Sequence, residues 1–296
     1  MTTGAPLQGC VRHPRRPTAL ACTRCGRPAC PDCLREAAVG YQCVDCVRAG
    51  QRDIRPVRTV AGAAVRTVAV PYATYTLIAL NVLVFAITAV QSHSVGSNAN
   101  DSRLFADWAL WSPGVARGEL FRVIGSGFLH FGPIHLLVNM LALFLFGRFV
   151  EQTLGAARYT VLYFAALLGG SAAVLVLEQP NAVTAGASGA IFGVFGAYAL
   201  ILVRLRQNPT VIVAMIVINL AISISVAGVS LWGHTGGLLA GTAAAAALLY
   251  VPQWLGRTVK VPAQAIGWAA LGALVAFTLA VIAVRALQLH SEFVTG

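Results

Sequence analysis

Residues 186–204 read GASGAIFGVFGAYALILVR, and the kind of fold this chain adopts turns on how that stretch is read. It is apolar except for Ser188 at its start and Arg204 at its end. Gly186, Gly189, Gly193 and Gly196 recur through it. Small residues of this kind let helix backbones approach closely inside a membrane. A helix running from Ser188 to Arg204 rises about 24 Å. In an apolar layer about 30 Å thick, a helix anchored by Arg204 at one surface therefore leaves Ser188 about 6 Å below the other.

The rest of the chain supports a lipid setting. It is 57% hydrophobic and only 10% charged, whereas soluble domains carry about 25% charged residues. Seven segments are long and apolar enough to be read as spans: about 73–91, 133–150, 158–177, 187–203, 209–227, 232–251 and 264–287. Residues 1–48 form a Cys-rich head, 49–71 a basic linker with Arg52, Arg55, Arg58 and Arg66, and 72–290 the membrane part. No signal peptide is read at the start, so the first span is expected to act as an uncleaved targeting signal.

The net charge of +11 does not point to nucleic acid. Residues 1–70 hold eleven arginines against four acids, and most other basic residues sit at span ends. That is the signature of membrane topology. The connections after the second, fourth and sixth spans carry Arg148 and Arg158, Arg204 and Arg206, then Arg257 and Lys260. The long loop at 92–132 is balanced, with Arg103, Arg117 and Arg122 against Asp101, Asp107 and Glu119. The expectation is a multi-pass cell-membrane protein with a cytoplasmic N-terminus. Phe105, Trp108, Trp111 and Phe121 in that loop are expected to anchor short helices at the outer interface.

Polar groups inside spans are costly, so each is a functional hypothesis. His135 and Asn139 lie in the second span, Ser188 opens the fourth and His234 opens the sixth. Counting back from Val251 places His234 at about the depth of Ser188. The second span enters from the same side, so all four meet at one level. His234, Gly237 and Gly241 share one helical face. Small-residue faces on both helices would bring the Ser188 hydroxyl within reach of the imidazole. A neutral histidine could then take the proton as serine attacks a carbonyl. No carboxylate lies in either span, so the site reads as a dyad. The backbone N–H of Ser188, His135 and Asn139 are the candidate donors to the resulting oxyanion.

These residues resemble the rhomboid family. Gly186-Ala187-Ser188-Gly189 looks like its G-x-S-G motif, and His135-x-x-x-Asn139 like its second-span oxyanion motif. His234 with Gly237 and Gly241 is similar to the motif that carries the base. Glu119-Leu120-Phe121-Arg122 resembles the outer-loop motif, with Phe121 where tryptophan usually stands. His130 and Glu151 also fit the pattern. The resemblance covers about 72–250 and implies an all-α membrane protein: a six-helix rhomboid core over 72–251, with 252–296 holding one added C-terminal span and the tail. It implies an intramembrane serine endopeptidase with catalytic Ser188 and His234, opening to the outer side, acting on transmembrane substrates in the bilayer and needing no cofactor for catalysis. The alternatives are an inactive rhomboid-like scaffold, which would be free to lose Ser188 or His234, and a small-solute transporter. The latter predicts internal repeats and midplane acids, and none is read here.

The head spaces its ligands as Cys10-x2-His13, Cys22-x2-Cys25, Cys30-x2-Cys33 and Cys43-x2-Cys46. Four two-residue hooks supply eight ligands, enough for two tetrahedral zinc sites. Disulfides are the competing reading, disfavoured in a reducing cytoplasm. The spacing permits sequential or crossed pairing. The arrangement resembles a B-box-type zinc finger, which implies the crossed one: Cys10, His13, Cys30 and Cys33 on one Zn²⁺, and Cys22, Cys25, Cys43 and Cys46 on the other. So small a head needs metal to fold. Its expected role is protein contact or substrate recruitment.

Overall fold

The computed structural model describes residues 7–53, 59–62, 70–226, 228–256, 258 and 260–295. The chain divides into two compact units, Met1–Val57 and Arg58–Gly296.

The first unit is built from very short elements. Strand β1 (Gln8–Gly9) pairs antiparallel with β2 (Pro17–Thr18), and β3 (Leu34–Glu36) with β4 (Tyr41–Cys43). Helix α1 (Val44–Asp53) follows β4 directly and runs into the segment read as linker. Among the described residues, the buried apolar side chains of this unit are Cys10, Cys22, Ala29, Cys30, Cys33, Leu34 and Cys43. Its core is therefore made mostly of the candidate ligands themselves.

The second unit is helical. Helix α2 (Tyr72–Gln91) is followed by three short helices in the long loop: α3 (Arg103–Trp108), α4 (Ser112–Ala116) and α5 (Arg122–Gly125). Then come α6 (Gly132–Ala142) and α7 (Arg148–Leu154), joined through a widened turn at Leu143–Gly147 into one continuous span. Gly155, at φ 85°, allows the chain to reverse into α8 (Ala156–Leu177). The remaining helices are α9 (Ser188–Arg204), α10 (Thr210–Ser225), α11 (Leu231–Leu249), α12 (Val251–Leu255) and α13 (Ala263–His290). Among the described residues, five helical stretches are long and apolar enough to cross a membrane, and α9 and α10 are shorter apolar helices. This unit is an all-α, multi-pass membrane fold, with α13 as a further helix at its C-terminal end.

Helices α8, α9 and α11 form the centre. A Cβ on Gly237 would fall on the Gly189 carbonyl, and one on Gly241 would fall on the Gly193 backbone. This is the close approach expected of α9 and α11. Helix α8 supplies a third small-residue face that the sequence reading missed. A Cβ on Gly170 would lie 2.8 Å from the Gly233 carbonyl oxygen. Lipid tails are as apolar as the helices, so such backbone contact, rather than a hydrophobic drive, selects this arrangement.

Two buried charges tie the ends of the unit. Glu151 accepts from the backbone N–H groups of Ala73 at 3.0 Å and Thr74 at 2.8 Å, and from the Thr74 hydroxyl at 2.7 Å. It caps the start of α2, where backbone donors have no helical acceptor. Arg122 donates to Glu119 at 2.5 Å and to the carbonyls of Ala106 and Ala109 at 2.7 and 2.9 Å. It therefore pins α3 to α5, and the guanidinium holds the Glu119 carboxyl below its usual range. The loop aromatics do not all behave as interface anchors. Phe105 is buried in the protein, Trp108 and Trp111 are half-buried, and Phe121 alone of these is exposed.

Part of the basic linker is held by the helical unit. The Thr59 hydroxyl donates to the Thr153 carbonyl at 2.7 Å, and Arg158 donates to the Ala61 carbonyl at 2.9 Å. Arg55, Arg58 and Arg66 lie outside the described residues. His290 has Nδ1 2.9 Å from the Ala116 carbonyl oxygen and joins α13 to α4.

Candidate active site

Ser188 is the first residue of α9, and Gly186 leads into it with φ 140°, a conformation strained for any side chain. The bend exposes the Ser188 hydroxyl at the head of the helix. Its backbone N–H lies in the first turn, where such groups lack intrahelical acceptors. His234 sits in the first turn of α11 behind the side-chain cap of Ser230. Its Nε2 is 2.8 Å from Ser188 Oγ. The imidazole is buried and stacks on Phe192, with ring centres 4.2 Å apart and planes 14° apart. Phe192 follows Ser188 by one turn of α9, so the same helix carries the hydroxyl and the surface that orients its partner.

The far side of the Ser188 hydroxyl is closed by α6. A Cβ on Gly186 would lie 3.0 Å from His135 Nε2 and 3.5 Å from Ser188 Oγ. The missing side chain at 186 is thus what lets the His135 ring approach. His135 Nδ1 accepts the Phe131 backbone N–H at 3.2 Å. A neutral imidazole with Nδ1 accepting must carry its proton on Nε2, which makes that atom a donor towards Gly186 and Ser188. Asn139 lies one turn further along α6 and is buried; one N–H donates to the His135 carbonyl at 2.8 Å. That leaves its amide a second N–H.

All four residues line one cavity of about 850 Å³ between α6 and α10. Val138 and Leu141 of α6 and Met215 and Ile222 of α10 form part of its apolar wall. His130 stands just behind, fully buried, its ring 5.0 Å from that of His135 and both nitrogens without a hydrogen-bond partner among the described residues. The two rings meet edge to face. Ser223 was not foreseen. Its Oγ on α10 lies 2.6 Å from His234 Nδ1. The rule that singled out His135, a polar group inside an apolar span, applies equally to Ser223, but no spacing in the sequence links it to residue 234.

Comparison with known proteins gives the family. The rhomboid domain profile matches residues 117–251, which include all four site residues. The putative rhomboid protease YdcA of Bacillus subtilis is 35% identical over 134 residues, 43% of this chain and 67% of that protein. The chain belongs to the rhomboid family. Rhomboid protease GluP of the same organism is 38% identical over 183 residues, 60% of this chain but only 35% of GluP. RHOMBOID-like protein 5 of Arabidopsis thaliana is 36% identical over 151 residues, about half of each chain. This rhomboid therefore spans about a third of GluP's length.

The N-terminal unit of this rhomboid carries a second cluster of chemistry. Its ligand atoms fall into two groups, Cys10, His13, Cys30 and Cys33, and Cys22, Cys25, Cys43 and Cys46, each within 4.8 Å. This is the crossed grouping. Cys25 Sγ lies 3.8 Å from Cys43 Sγ, and His13 Nδ1 lies 3.4 Å from both Cys30 and Cys33. Tetrahedral ligands held about 2.3 Å from a zinc ion sit about 3.8 Å from one another. A disulfide needs about 2.05 Å, and all seven cysteines are free. The residues present fit a divalent metal in each group.

Proposed function

We propose that this rhomboid is an intramembrane serine endopeptidase that cuts transmembrane segments of other membrane proteins. The observation that carries the proposal is the 2.8 Å contact between Ser188 Oγ and His234 Nε2, buried at the foot of an apolar cavity. An apolar wall suits a substrate that arrives from lipid, and buried polar groups inside it are otherwise an unrewarded cost.

Ser188 Oγ attacks the scissile carbonyl carbon while its proton passes to His234 Nε2. The carbonyl oxygen becomes an oxyanion that accepts from the Ser188 N–H, the His135 Nε2–H and the free N–H of Asn139. The tetrahedral intermediate collapses, the C–N bond breaks, and the leaving amine takes the proton from Nε2. The acyl group stays on Ser188. A water molecule then gives a proton to Nε2, attacks the ester, and releases the acid as Ser188 regains its proton.

The basic span ends favour a cytoplasmic N-terminus, with the Ser188 end of α9 opening to the outer side. Helix α9 is 17 residues long, and its rise of about 24 Å falls short of an apolar core about 30 Å thick. The two Cys/His groups would each hold a structural Zn²⁺, as in a B-box-type finger, and the unit would serve to contact a protein partner. When bound, zinc would supply the cross-links that stand in for a core.

Activity-based labelling of the purified full chain with a fluorophosphonate tests the proposal. Wild type should label on Ser188 and cleave a transmembrane substrate, and Ser188→Ala and His234→Ala should lose cleavage while remaining inserted. A folded wild type that neither labels nor cleaves would leave the inactive scaffold as the reading. A reporter at residue 50 should report cytoplasm, and one near Asn98 the exterior.

A further inference from the structure

We infer that Ser223 is a positioning residue that holds His234 in the one tautomer able to act as a base; the inference rests on the peptidase reading above. Ser223 Oγ has two close polar neighbours, the Asn219 carbonyl oxygen at 2.7 Å and His234 Nδ1 at 2.6 Å. A hydroxyl has one proton to give, and a carbonyl oxygen can only accept. An oxygen–oxygen approach of 2.7 Å without a proton between would set lone pair against lone pair. The Ser223 proton therefore lies on the line to Asn219. What Ser223 presents to His234 is a lone pair, so Nδ1 must carry the imidazole proton. A neutral imidazole has only one N–H. Nε2 is then left with its lone pair facing Ser188 Oγ at 2.8 Å, which is the arrangement that proton removal from Ser188 requires.

Among the described residues, Ser223 is the hydrogen-bond partner of Nδ1. Without it, the other tautomer becomes available. In that form Nε2–H donates to Ser188 Oγ, and the nitrogen can take no proton from it. Stacking on Phe192 fixes the plane of the ring but is blind to which nitrogen is protonated. The Ser223 hydroxyl supplies the missing selection, the task that a carboxylate performs in a Ser-His-Asp triad. Its worth also grows along the reaction. Once His234 is protonated, the Nδ1–H bond to Ser223 becomes charge-assisted and stronger. Ser223 thus favours the transition state over the bound substrate, and its loss should appear in kcat more than in KM. A neutral hydroxyl stabilises the imidazolium less than a carboxylate does, so the effect is modest. The contact also ties the base on α11 to α10, a helix that lines the opposite wall of the cavity from α6.

The test uses the full chain in detergent. Ser223→Ala should lower kcat roughly tenfold with KM within about twofold, the worth of one hydrogen bond. Ser223→Thr restores the hydroxyl and should recover most of that loss. Wild-type kcat in Ser223→Ala, or an equal loss in both variants, would overturn the assignment. Independently of turnover, ¹⁵N NMR of histidine-labelled wild type, assigned against His234→Gln, should show His234 protonated at Nδ1 with Nε2 bare. The Ser223→Ala spectrum should shift the proton towards Nε2. A wild-type proton on Nε2 overturns the inference even if the enzyme is active. Fluorophosphonate labelling of the same wild-type sample separates the two failures: no labelling defeats the peptidase reading, whereas normal labelling with the wrong tautomer defeats only the role of Ser223.

Discussion

The N-terminal unit is organised around eight ligand atoms, whereas the membrane unit is organised around glycines. In the first, strands of two or three residues bury little beyond the cysteines. A unit that small cannot offset its chain entropy by apolar burial. In the second, apolar surface is abundant but gains nothing by leaving lipid, so α8, α9 and α11 are matched by backbone contact at Gly169, Gly170, Gly189, Gly193, Gly237 and Gly241. Both regions lack the ordinary hydrophobic drive. Each replaces it with a short-range geometry that tolerates almost no change in the atoms at the contact.

Removing metal is the strongest way to break the comparison. A chelator should unfold the N-terminal unit completely, with about two zinc ions released per chain, while the helical unit keeps its melting transition and its cleavage of an unstable transmembrane segment. Circular dichroism with metal analysis reads this. One ion per chain would break the two-site assignment, and lost cleavage in folded protein would show that the units are coupled.

Gly241→Ala should do the converse. The added methyl falls on the Gly193 backbone, which cannot rotate away as a side chain could. Overpacking of this kind costs about 1–3 kcal/mol. Thermal unfolding in detergent should fall while bound zinc is unchanged. A neutral result would mean that the helices slide freely and that glycine contact is not what selects the arrangement.

Smaller effects sharpen the picture within the site. His135→Ala should lower kcat by about 100-fold with little change in KM, because its donor acts on charge present only in the transition state. Asn139→Ala should cost less, roughly tenfold, since one of its N–H groups is already given to the His135 carbonyl. Steady-state kinetics on a transmembrane substrate separates the two. Raised KM at constant kcat would make either one a substrate-binding residue.

Much of this molecule is legible in one dimension. Span length, the basic flanks and the paired hooks are local patterns, each set by a single physical scale: bilayer thickness, surface charge or the bite of a tight turn. Depth counting brought His135, Asn139, Ser188 and His234 to one level because a helix rises by a constant amount per residue. The loop residues were harder. Phe105 reads as an interface aromatic but is buried in protein, since hydropathy does not distinguish lipid from a neighbouring helix.

The sequence by itself determined the class of fold, four of the residues that meet at the candidate site and the number of candidate ligands in the head, because each follows from composition and spacing along the chain. Spacing left two pairings of the hooks open, and the tertiary structure decided which hooks lie together, since a hook's spacing says nothing of its distant partner. It alone brought α8 against α9 and α11 through Gly169 and Gly170. And it alone placed Ser223 at His234 Nδ1, because the side of a helix that meets another is set by how both pack, and a serine on α10 carries no mark of the ring it will touch.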